Sequence, residues 1–66
     1  MAMKTYPVTG SSMILEIRYD DETAEMDVVL DRGTYHYSNV PLSTFEAFMR
    51  APSKGRFYNE FIKGGF

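Results

Sequence analysis

A chain of 66 residues without cysteine is a single domain near the lower size limit for unaided folding, burying roughly 60% of its unfolded surface, and disulfide staples and thiolate metal sites are excluded. Its net charge of −2 argues against generic affinity for nucleic acid, and no apolar run reaches the roughly 20 residues that span a bilayer, so the reading is a soluble, cytoplasmic protein with one domain over 1–66 and no membrane partner. Five Tyr and five Phe are many rings for so small an interior, which makes a homo-oligomer the expectation.

Residues 1–12 hold Pro7, Gly10, Ser11 and Ser12 and read as an extended lead-in. The chain then alternates. Leu15, Ile17 and Tyr19 fall on one face with Glu16 and Arg18 on the other, the period-two pattern of a half-buried strand. After the polar turn Asp20-Asp21-Glu22-Thr23, Met26, Val28 and Leu30 repeat that sidedness, with Val29 as the exception. Asp31-Arg32-Gly33 closes a second hairpin, its glycine free to take positive φ, and Tyr35 and Tyr37 share a face of the third strand. Pro41 ends the sheet pattern and the period becomes helical. Ser43 and Glu46 have the spacing of a capping box, Leu42 and Ala47 that of a hydrophobic staple, and Phe45, Phe48 and Met49 form an apolar stripe. Pro52 stops that helix. Ser53 caps a second one, whose Phe57, Tyr58, Phe61 and Ile62 lie at helical spacing up to Gly64-Gly65. The expected fold is α+β: a three-stranded antiparallel β-meander with two short C-terminal helices packed on one face.

Catalysis finds little support. The one histidine, His36, stands on the strand face opposite Tyr35 and Tyr37 with no nucleophile beside it, so no catalytic residue is assigned and the protein is read as not an enzyme. Asp20-Asp21-Glu22 lacks the spacing and closing glutamate of a calcium loop, so no metal site and no cofactor are expected. Charge is unevenly spread. Residues 16–31 carry seven acids against Arg18 alone, a stretch that would repel an extended polyanion, whereas 47–66 carry Arg50, Lys54, Arg56 and Lys63 against Glu60. Within the positive part, Ser53-Lys54-Gly55-Arg56 opens a helix, where unpaired N–H groups and two cations suit a phosphate; a tight interhelical turn in which Gly55 admits a neighbouring side chain is the competing explanation. Tyr35 and Tyr37 either stack an unpaired base or pack into the core with their hydroxyls at the rim. Asn59 lies four residues beyond Gly55 and faces the same way, its amide able to bond a base edge or the backbone.

Ser11-Ser12, Tyr19-Asp20, Tyr35-x-Tyr37 with Val40-Pro41, and Ala51-x-Ser53-x-Gly55-x-Phe57-Tyr58-Asn59 followed by Ile62 together resemble the KTSC domain family over nearly the whole chain. That family is named for its occurrence at the C-terminus of some lysyl-tRNA synthetases and is also a stand-alone small protein of bacteria and their phages. The resemblance implies an RNA-binding role and brings no catalytic residues. The combined expectation is a non-catalytic binding module for a nucleotide-type ligand, RNA or a free nucleotide signal that a phage-type protein would sequester, with Ser53, Lys54, Gly55 and Arg56 on phosphate and Tyr35, Tyr37 and Asn59 at the edge. The alternative is a protein–protein interaction or oligomerisation module using exposed Phe, Tyr and Met surface, with no nucleotide ligand.

Overall fold

The structure is a computed structural model and describes residues 3–65. Four antiparallel strands, β1 (Lys4–Pro7), β2 (Ile14–Asp20), β3 (Glu25–Leu30) and β4 (Gly33–Tyr37), form one sheet in the order β1-β2-β3-β4. They are followed by α1 (Leu42–Arg50) and α2 (Lys54–Phe57), and α2 runs directly into a π-helical turn, Tyr58–Ile62. The fold is α+β as expected, with four strands rather than three. The additional strand lies inside the lead-in, where Tyr6 stands opposite Ile17 and rests its ring 5.2 Å from Phe45. Pro7 is compatible with this because β1 is an edge, where one missing N–H faces solvent instead of a neighbour.

The first residues of β2 depart from simple alternation. Ile14 pairs with Leu30 and Glu16 with Val29, so Leu15 is an extra residue in a β-bulge. As a result Ile14 is fully buried and Leu15 is 51% exposed, which reverses the expected facing of position 15. The bulge follows a turn built locally: the Ser11 hydroxyl accepts from the Met13 and Ile14 N–H groups, and Gly10 takes φ +79°. Beyond the bulge Ile17 and Tyr19 face inward with Met26 and Val28. At the far end Asp20 is buried, its carboxylate accepting from the Glu22 and Thr23 N–H groups, so the acidic tip is a side-chain-organised turn. Gly33 has the positive φ expected of it.

The helices lie over the face that carries Ile17, Tyr19, Met26 and Val28. Tyr19 stacks on Phe45 at 4.2 Å with rings nearly parallel, and its hydroxyl donates to the Val40 carbonyl at 2.7 Å. Phe48, fully buried, stacks on Phe57 at 5.3 Å. The helix boundaries differ from expectation in one respect. Pro41 occupies the N-cap of α1 with no side-chain cap, and its carbonyl takes the Thr44 and Phe45 N–H groups. Ser43 therefore lies inside the first turn and forms no capping box with Glu46, while Leu42 and Ala47 are exposed and form no staple. Ser53 does cap α2, accepting from the Arg56 N–H at 3.3 Å. In the π turn the Lys63 N–H reaches back five residues to the Tyr58 carbonyl at 2.8 Å. That wider turn keeps Tyr58 and Ile62 in the core and leaves Phe61 56% exposed, splitting the stripe read from the sequence.

Candidate functional site

Two cavities open side by side where the start of β2, the β3–β4 turn and the last helix meet, and they share Met13 and Asn59. The first, about 400 Å³, is lined by small hydroxyls and one cation, Ser11, Ser12, Ser53 and Lys54, together with Gly55. The second, about 520 Å³, is aromatic and charged, walled by Tyr35, Tyr37 and Tyr58 together with Asp31, Arg32 and Lys63. The β3–β4 turn reaches this place because the Asp31 N–H donates to the Met13 carbonyl at 3.1 Å, tying the hairpin to the bulge region.

Six of the seven residues singled out from the sequence converge here. Ser53, Lys54, Gly55 and Asn59 border the first cavity, and Tyr35, Tyr37 and Asn59 the second. Asn59 and Gly55 do share a face, as their spacing requires. Arg56 lies elsewhere. Its guanidinium pairs with Glu60 at 3.2 Å one turn on, at the rim of a separate depression beside Phe57 and Phe61. Both partners are more than half exposed, so this pair contributes little stability. Lys54 is half-buried and its ammonium donates to the Ala51 carbonyl at 3.4 Å. Ser53 spends an acceptor lone pair on the Arg56 N–H and keeps its own O–H to donate. Gly55 has a packing role as well, because a Cβ there would meet the Met13 methyl at 3.4 Å.

Arg32, Lys63, Asp31, Tyr58 and Met13 border the site and were not assigned to it from the sequence. Lys63 carries a readable signal, since it lies four residues beyond Asn59 on the same helical face. Arg32 and Asp31 belong to a hairpin whose approach to the helix is purely tertiary. Tyr35 is 48% exposed, whereas Tyr37 is half-buried, its ring edge-on to Tyr58 at 6.1 Å and its hydroxyl bonded to that of Tyr58. Tyr37 thus packs against the core, whereas Tyr35 is left exposed to solvent.

Burial, and then the hydrogen bond with Tyr58, raises the Tyr37 phenol well above its ordinary 10.0; burial, followed by the nearby Asp21, Asp20 and Glu46 carboxylates, raises that of Tyr19. Each phenol is therefore neutral in the fold at pH values where the unfolded chain has begun to ionise. Their stabilising contribution is complete below about pH 10 and is lost as pH rises through the folded values. Chemical denaturation at pH 8, 10 and 11 should show stability beginning to fall at pH 10 and falling further at pH 11, and Tyr37→Phe should make that fall shallower; a decline already complete by pH 9 would contradict the assignment.

His36 lies on the sheet face away from the helices, 51% exposed, bonded through Nδ1 to Asp27 and with Nε2 3.8 Å from Glu25. Among the described residues no three of His, Asp or Glu are disposed to hold a metal ion, and no helix is long and apolar enough to cross a membrane.

Comparison with known proteins points in one direction. A family model described as the KTSC domain matches residues 10–66. Segments of lysine–tRNA ligases are similar: 43% identical over 56 residues in Trichormus variabilis and 41% in Nostoc punctiforme, covering 83% of this chain. The chain spans 10% of the length of these ligases. The crystal structure of a KTSC domain protein from Yersinia pestis superposes with a TM-score of 0.92 at 44% identity, covering 98% of this chain and 92% of that one.

Proposed function

This chain belongs to the KTSC domain family, and from that premise we propose that it is a non-catalytic module that holds a nucleotide-type ligand, an unpaired RNA segment or a free nucleotide, in the double cavity. The observation that carries this reading is the junction itself: a hydroxyl-and-lysine pocket suited to phosphate abuts an aromatic pocket suited to a base, with Asn59 common to both. Ser53, Lys54 and the Gly55 backbone take the phosphate, Tyr35 offers the stacking face, and Tyr37 supports it from the core side. Arg32 and Lys63 add positive charge in place of Arg56, whose guanidinium is engaged with Glu60. Absence of catalysis rests on His36, which sits among carboxylates on the other sheet face, out of reach of the cavities. Kinship with lysine–tRNA ligases accords with an RNA ligand.

Native mass spectrometry and fluorescence titration with mononucleotides and with a single-stranded RNA hexamer, at about 50 mM salt where phosphate contacts are strong, test the proposal. Binding that tightens from monomer to hexamer identifies RNA as the guest, and equal affinities identify the free nucleotide. Lys54→Ala should weaken either by roughly tenfold or more, the worth of one charged hydrogen bond, whereas Arg56→Ala should stay within about twofold. If neither probe binds the wild-type protein the reading falls. Exposed Phe61, flanked by Thr44, Ala47 and Phe57, would then favour a protein-interaction surface, read out as self-association.

A further inference from the structure

We infer that the aromatic half of the groove selects guanine among the nucleobases, an inference that rests on the nucleotide reading above. Asp31, Arg32 and Lys63 surround that cavity beside Tyr35 and Asn59. Among the described residues none of these three charged side chains has an ion pair or a side-chain hydrogen bond, so their bonding capacity is open to a guest. An ionised carboxylate only accepts hydrogen bonds, and guanidinium and ammonium groups only donate them.

Guanine is the one common base with two adjacent donors, N1–H and the N2 amino group, next to acceptors at O6 and N7. A cavity lined by one carboxylate, two cations and tyrosine rings supplies partners for these groups, with Asp31 receiving N1–H and N2–H while Arg32 or Lys63 donates to O6 and N7. The other bases fit less well. Adenine turns the N1 lone pair toward the carboxylate, uracil turns carbonyl oxygens, and cytosine offers one amino group beside a lone pair. Asn59 carries both a donor and an acceptor and suits any base edge, so discrimination falls to Asp31. The Asp31 backbone is anchored by its N–H bond to the Met13 carbonyl, which holds the residue at the cavity rim.

Calorimetric titration with GMP, AMP, CMP and UMP at about 50 mM salt tests this. GMP should bind roughly tenfold tighter or more, the discrimination given by one bidentate base contact. Asp31→Asn keeps the size of the side chain and exchanges one acceptor for a donor. It should erase the preference for GMP and favour XMP, whose O2 replaces the N2 amino group. Position 31 is exposed, so the variant should fold as the parent does, which circular dichroism verifies. Equal affinity for all four nucleotides, or an unchanged preference in Asp31→Asn, overturns the guanine assignment while leaving the groove a nucleotide site. No binding of any of the four mononucleotides overturns the guanine assignment, and the nucleotide reading falls with it only if the RNA hexamer also fails to bind.

Discussion

The substitution Ile14→Asp should abolish the folded state, whereas Leu15→Asp should leave the melting temperature within a few degrees of the parent. Ile14 has no exposed surface and belongs to the core cluster, so an ionised side chain there would be buried without a partner at a cost of several kcal/mol. A domain of this size holds only about 5 kcal/mol in total. Leu15 is the extra residue of the bulge and half exposed, where substitutions usually change stability by about 0.5 kcal/mol. Circular dichroism melts of both variants decide the matter. A cooperative transition in Ile14→Asp together with its loss in Leu15→Asp would mean that the strand alternates without the bulge.

Phe48→Ala should be nearly as damaging. The ring is fully buried, projects from α1 and packs face to face with Phe57 of α2, so its removal leaves a void that the short helices have little freedom to close. Phenylalanine truncations in cores cost about 3–5 kcal/mol, most of what this chain has. Urea titration should place the midpoint at or near zero denaturant, and a midpoint within about 1 M of the parent would show that the core is organised otherwise.

Much of the architecture was legible because alternation and helical spacing report burial directly. Met26 and Val28 against Asp27, and Phe45 and Phe48 along α1, fall where their periods put them. The misreadings have local causes. Pro7 and Gly10 are turn residues by type, yet an edge strand accommodates the proline, so β1 was hidden by composition. Ile14 and Leu15 are adjacent and equally apolar, and only the cross-strand pairing decides which one enters the core. Ser43 was displaced as a cap because the chain enters α1 directly from Pro41. At the site, Ser53, Gly55 and Asn59 were readable from spacing on one short helix. Arg56 was not, because a helix distributes neighbouring side chains around its axis and Glu60 lies one turn away to receive it. Asp31 and Arg32 enter the site through a contact between elements distant in sequence, which no periodicity records.

The turns at the two ends of β3 have opposite settings, one carrying Asp20, Asp21 and Glu22 and the other bordering the groove. Six residues of antiparallel strand hold them roughly 20 Å apart at about 3.4 Å per residue, while mobile ions damp a field over about 8 Å in physiological saline. The molecule thus has a negative pole whose influence fades before it reaches the opposite rim. A long polyanion arriving at that rim meets Lys54, Arg32 and Lys63, offset among the described residues lining the two cavities by Asp31 alone, rather than the net charge of the whole chain, and only in very dilute buffer would the carboxylates at the far turn slow its approach.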